Sequence, residues 1–356
     1  MRQALVVSVA AGQVSPMRTL PPGVQTNRVR RIAPGRVLCW QLALALAAVA
    51  MRQSWPVLAA LGCAAAALVL AATVRHRGRP LYRVVTLRCR LLYRTRRRHV
   101  ADARSLLAAL RPGAAVHPGQ DSTTIVTQRT VVASIIRPHA VTASLLSSFP
   151  APADLLSAAG LPETFGVTTV FHADATPGAP RRVWLALELA RTKEILADDE
   201  VIPLLHHGVR LIQRTLHEGG VRTEGVPEDA ALAAITTQVP PGEIREGWRR
   251  VTTGPVSHAC FALSRDDRPD LQRLTATLLS RSPGVAVTVT RTARRYRGEL
   301  TSATRLHLAA PNPTAVDAAA GHAARLLSPT AIRLTRENGA HLAGIAASLP
   351  IGGLIP

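Results

Sequence analysis

The sequence predicts a membrane protein: a two-helix transmembrane hairpin followed by an α+β cytoplasmic domain. Three observations predict it. Two apolar runs free of charge lie early in the chain, at residues 37–51 and 53–74. Arginine is distributed very unevenly around them. Beyond Pro112-Gly113, short strand-like runs alternate with helix-like ones in an ordinary globular composition.

The second run would span about 33 Å as a helix, enough for a bilayer core of roughly 30 Å. The first reaches about 22 Å and can span only if Arg36 and Arg52 snorkel to the headgroups. Trp40 and Trp55 suit the two interfaces, and Pro56 with Arg52-Gln53-Ser54-Trp55 makes a tight connection. A buried helical hairpin and a signal peptide are the competing readings, but no small-residue cleavage site stands out.

Charge then gives orientation. The chain carries 43 basic and 22 acidic groups, a net +21. Residues 1–104 hold 18 of the basic groups and one acid, Asp102, whereas residues 105–356 hold 25 against 21. By the positive-inside rule, both termini are cytoplasmic and the protein is a multi-pass inner-membrane protein. The expected divisions are a basic cytoplasmic tail (1–36), the hairpin (37–74), a basic juxtamembrane helical segment (75–111) and the cytoplasmic domain (112–356), with a sub-boundary near 240–255.

Residues 81–98 read as an amphipathic helix. Arg83, Arg90, Arg94 and Arg97 share one sector and Leu81, Val85 and Leu92 lie opposite. Arg75, Arg77, Arg79, Arg83, Arg90, Arg94, Arg96, Arg97 and Arg98 are therefore candidates for binding anionic lipid or for fixing topology, each worth on the order of 1 kcal/mol beside an anionic surface. In the second run, the small residues Ala59, Gly62, Cys63 and Ala66 would admit a close helical partner.

In the domain, strands are expected near 130–136, 167–172 and 182–189, with a helical stretch at 141–159. At 182–189, Val183, Leu185, Leu187 and Leu189 alternate with Trp184, Ala186 and Glu188, which predicts a sheet with one buried face. A helix opens on Asp198, Asp199 and Glu200 and ends at Gly219-Gly220. Residues 257–263, 285–292, 301–308 and 331–335 read as strands. Among them lie a helix opened by Asp267 and Pro269 and another capped by Asn312-Pro313. That order, strand-helix-strand-strand-helix-strand, is the ferredoxin-like one. The earlier passage can be read the same way, giving two tandem units joined by a linker around Trp248. A final helix covers 341–349.

The motif search assigns no catalytic residue, cofactor or metal. Lys193 is the only lysine and sits outside any P-loop, and Cys39, Cys63, Cys89 and Cys260 are far apart. Adjacent His206 and His207 diverge on their helix, and the pairs Asp198-Asp199 and Asp266-Asp267 precede helices, where capping explains them. His172 and Asp174 could be drawn into an acid-base scheme. Aromatic residues are 3% of the chain, and no nucleic-acid partner is expected.

Two segments carry a family resemblance. One runs from Arg77-Gly78-Arg79-Pro80-Leu81-Tyr82-Arg83 through Leu91-Leu92-Tyr93-Arg94-Thr95-Arg96-Arg97-Arg98. The other is Arg333-Leu334-Thr335-Arg336-Glu337-Asn338-Gly339-Ala340-His341-Leu342-Ala343-Gly344-Ile345-Ala346-Ala347-Ser348-Leu349-Pro350. With the basic tail and the apolar runs, they resemble the EccE membrane components of actinobacterial type VII secretion systems, over most of residues 30–353. The first span is shorter and the tail before it longer than in that family. The resemblance implies a non-catalytic assembly subunit beside EccB, EccC and EccD proteins, with EccC as the ATPase. The alternatives are a membrane-tethered, transferase-like enzyme at the cytoplasmic leaflet and a membrane-bound DNA-binding regulator.

Overall fold

The computed structural model describes residues 34–352 except 52–53, 77–78, 94–96, 120–121, 194, 196, 265–269, 281–283, 297–298 and 331. The chain divides into two compact units, Met1–Val84 and Val85–Pro356.

In the first unit, α1 (Pro34–Ala50) and α2 (Trp55–Thr73) pack against each other. Pro56 lies in the first turn of α2, where a missing N–H costs no hydrogen bond. Leu58, Leu61, Ala65 and Leu68 are half-buried and Ala72 is buried, a helical spacing that turns one face inward. The two-residue strands β1 (Arg75–His76) and β2 (Arg79–Pro80) pair antiparallel. The helix α3 (Leu81–Tyr93) follows. Gly35 meets the Tyr82 ring so closely that an added Cβ would lie 2.7 Å from it.

The helix α2 has 19 residues, a mean hydropathy of 2.1 and only 6% of its apolar stretch buried. Its length of about 28 Å approaches a bilayer core. It is the one helix among the described residues long and apolar enough to cross a membrane, since the apolar part of α1, Val37–Ala50, is shorter. This corrects the expected pair of spans.

The second unit runs in the order β3 (Arg97–Val100), α4 (Ala103–Leu110), β4 (Ala115–Pro118), β5 (Thr124–Gln128), β6 (Val131–Pro138), α5 (Ala143–Ser148), α6 (Pro152–Ala158), β7 (Phe165–Ala173), β8 (Arg182–Ala190), α7 (Asp198–Glu218), β9 (Thr223–Gly225) and α8 (Glu228–Gln238). There follow β10 (Gly242–Glu246), β11 (Val251–Thr253), β12 (Val256–Ser264), α9 (Asp270–Ser280), β13 (Ala286–Tyr296), β14 (Glu299–Ala310), α10 (Pro313–Leu327), β15 (Arg333–Arg336) and α11 (His341–Ser348).

All these strands join one 13-stranded sheet with antiparallel pairing, ordered β3-β10-β11-β12-β14-β13-β7-β8-β6-β5-β4, with β15 also on β12 and β9 also on β6. The expected hairpin followed by an α+β domain of two tandem ferredoxin-like units is therefore corrected. The strand orders β9-β6-β8-β7 and β15-β12-β14-β13 match each other, but β7 and β13 pair along eight residues, centred near Val170↔Thr290, and fuse both passages into one sheet. The region around Trp248 is no linker: it is the turn between β10 and β11, closed by Gly247 N–H donating to the Arg250 carbonyl at 2.8 Å. Residues 141–159 form two short helices, broken at Pro150-Ala151-Pro152.

The sheet is buried on both faces, against the expectation of one. On the first face, Val183, Leu185, Leu187 and Leu189 of β8 join Phe165, Val167 and Phe171 of β7 under α5, α6, α7, α9 and α10. The intervening positions Trp184, Val170, Ala133 and Ile135 belong to a second apolar cluster with α4, α8 and α11. Gly208 lets α7 lie flat on the first face, where a Cβ would be 2.7 Å from the Phe165 ring.

Candidate functional site

On α2, the small residues Ala59, Gly62, Cys63 and Ala66 are all exposed, on positions offset from the half-buried face. A Cβ placed at Gly62 would meet open space. The face picked out by residue size is thus a free surface within its unit.

The nine candidate arginines are divided. Arg83 and Arg90 are exposed on α3. The backbones of Arg75 and Arg79 lie in the paired strands β1 and β2. Arg77, Arg94 and Arg96 lie outside the described residues. Arg97 and Arg98 leave the helical pattern and enter the edge strand β3, where they face Arg245 and Ile244 of β10. Glu243 ties the two facing arginines together, at 2.7 Å from Arg245 and 4.0 Å from Arg97.

The sequence reading missed a buried polar layer on the second face of the sheet. Thr253 Oγ1 lies 2.6 Å from His258 Nε2, His258 Nδ1 lies 3.0 Å from His307 Nε2, and His307 Nδ1 lies 3.3 Å from Ser348 Oγ. Ser348 donates to the Ile345 carbonyl at 2.8 Å. One tautomer set satisfies the whole chain: Thr253 donates to His258, His258 to His307, and His307 to Ser348. Both imidazoles are then neutral. Burial agrees, pushing the His258 imidazole down to about 3 and His307 well below its ordinary value, the latter with help from neighbouring imidazoles. Single histidines among apolar neighbours, such as His307 between Leu306 and Leu308, were the available signal.

The same row of the sheet brings His172 and Asp174 together, with Nε2 at 2.9 Å from Oδ1, while His172 Nδ1 lies 2.9 Å from Thr288 Oγ1. Burial lowers the His172 pKa, opposed in part by Asp174. The arrangement has the shape of an acid-base triad, but its hydroxyl is closed off, because Thr288 is 2% exposed. Ser348 is 0% exposed and its proton is committed to a carbonyl. Asp174 pairs with Arg182 at 3.4 Å, and Asp266 lies outside the described residues.

These polar groups hold α11 and the chain after it onto the sheet. Arg111 donates to the carbonyls of Ala346 at 2.9 Å and Gly352 at 2.8 Å. Glu188 accepts from Thr168 at 2.8 Å. Gly344 seats α11, since a Cβ there would lie 2.5 Å from Cys260 Cβ and 2.9 Å from its Sγ. Burial raises the Cys260 thiol pKa, which keeps it protonated and unreactive. Among the described residues no group of three or more His, Cys, Asp or Glu is placed to hold a metal ion. A shallow cleft of about 300 Å³ is lined by Thr127, Gln128, Arg129, Arg191 and Asp198, with Arg191 paired to Asp198.

No family model matches the sequence, and no curated protein does. Among solved structures, the crystal structure of aclacinomycin oxidoreductase is similar at 11% identity and a TM-score of 0.29, covering 57% of this chain and 42% of that one. The chain thus spans less than half the length of that neighbour, and a likeness at this score carries no argument about fold or activity.

Proposed function

We propose that this chain is a non-catalytic assembly subunit of a type VII protein secretion complex, as its resemblance to the EccE components implies. The helix α2 embeds in the inner membrane, and its arginine-rich flank keeps the sheet domain on the cytoplasmic side. The observation that carries the reading is the exposure of α2, apolar along its whole length with only 6% of that stretch buried. An exposed apolar helix of this length marks a membrane or protein contact surface. The small-residue face at Ala59, Gly62, Cys63 and Ala66 suits a neighbouring transmembrane helix, of the EccB, EccC or EccD kind. Anionic lipids engage the juxtamembrane arginines. Supporting the non-catalytic part, the groups that could form a catalytic set, His172, Thr288, His307 and Ser348, are spent on closing the core.

Photo-crosslinking from Gly62 and Ala66 in native membranes tests this. Adducts to another membrane protein at these positions, and none from half-buried Leu61, are expected. Adducts confined to lipid at every position would remove the partner helix from the account.

A further inference from the structure

We infer that one corner of the sheet, formed by the start of β3, the end of β10 and the β10–β11 turn, is a surface that lies on an anionic bilayer. The inference rests on the attachment through α2 proposed above, and it extends that attachment to a part of the chain remote in sequence.

The antiparallel register sets Arg97 opposite Arg245 and Arg98 opposite Ile244, at the end of β10 that runs into the turn. The turn itself presents Arg249 and Arg250, both exposed. Arg88 of α3 lies over the Trp248 ring at 5.2 Å, which brings a further guanidinium to the same corner. The corner therefore holds six arginines, with Arg97 and Arg245 on one side of the strand pair and Arg98 on the other. Glu243 offsets only part of this charge, since one carboxylate is shared between Arg97 and Arg245. Like charges placed directly opposite each other across a strand pair are unfavourable, so the Arg97–Arg245 pairing is relieved by an external anion as well as by Glu243. A corner rich in exposed arginines around a partly exposed indole suits phosphate headgroups and the interfacial layer below them. The chain path agrees, because β3 follows α2 closely in sequence, through α3.

The test is hydrogen exchange on the full chain in nanodiscs of phosphatidylcholine, with and without phosphatidylglycerol. Exchange at residues 245–250 and 97–99 should slow about tenfold in the anionic discs alone. Replacing the five arginines together (Arg97→Gln, Arg98→Gln, Arg245→Gln, Arg249→Gln, Arg250→Gln) should abolish the difference while leaving exchange in β7 and β13 unchanged. Equal exchange in both discs, with the chain incorporated in each, overturns the inference and leaves an acidic protein surface as the occupant. A chain that stays out of both discs overturns the α2 attachment instead. Co-sedimentation of that chain with phosphatidylglycerol vesicles then decides the surface by itself, binding supporting it and no binding overturning it.

Discussion

Acid should loosen this protein through its buried histidines. His258 is neutral in the folded state, with its pKa pushed to about 3, against an ordinary value of 6.5. Above pH 6.5 neither folded nor unfolded chain holds the proton, and the buried imidazole costs nothing. Below it the unfolded chain takes up a proton that the folded chain cannot, so stability falls by about 1.4 kcal/mol for each pH unit, down to the folded pKa. At pH 5 the loss from His258 alone is about 2 kcal/mol. His307 and His172, also lowered by burial, act in the same direction. Urea unfolding of the detergent-solubilised chain, followed by tryptophan fluorescence at pH 7 and pH 5, reads this directly. His258→Gln should lower stability at pH 7 yet flatten the dependence between the two pH values. An unchanged midpoint at pH 5, or a His258→Gln variant with the full pH slope, would refute the neutral relay.

Three further expectations follow from the packing. Gly344→Val should cost about 1–3 kcal/mol by overpacking α11 against Cys260, seen as a lowered melting temperature, and wild-type stability would show that α11 is not seated on that glycine. Arg111→Met should cost about 3 kcal/mol, because the carbonyls of Ala346 and Gly352 lose a buried charged donor. Its sharper readout is limited proteolysis, with cleavage after residue 340 appearing in the variant, and an intact carboxy-terminal segment would argue against the clamp. Asn312→Ala should cost about 1 kcal/mol through loss of the cap on Thr314 N–H, at 2.8 Å, and Asn312→Ser should recover most of it.

What could be read from the sequence was local. The alternation in β8 and β13, the acidic start and glycine end of α7, and the Asn312-Pro313 opening of α10 each specify an element through its own residues. The fusion of two passages into one sheet depends on Val170 meeting Thr290 across β7 and β13, a non-local pairing that no periodicity encodes. Burial of both faces was hidden for a chemical reason. The second face at Thr168, Glu188, Thr288 and His307 is polar, so alternation made it look solvated, whereas each group is hydrogen-bonded inside. Arg97 continued the helical arginine sector and Arg98 closed the expected helix, yet pairing with β10 draws both into a strand. Trp248, read as linker, marks a hairpin whose signal was the glycine in Gly247-Trp248-Arg249-Arg250. The small residues of α2 are picked out by size and spacing alone, and the structure adds that they are exposed.

The most direct measurement is extraction of cell membranes in mild detergent, followed by sizing and mass spectrometry of whatever travels with this chain. A membrane assembly subunit predicts elution in a complex far larger than the 37.8 kDa chain, together with other secretion subunits including an ATPase. Recovery in the membrane fraction as a lone monomer, or release from membranes without detergent, would contradict it.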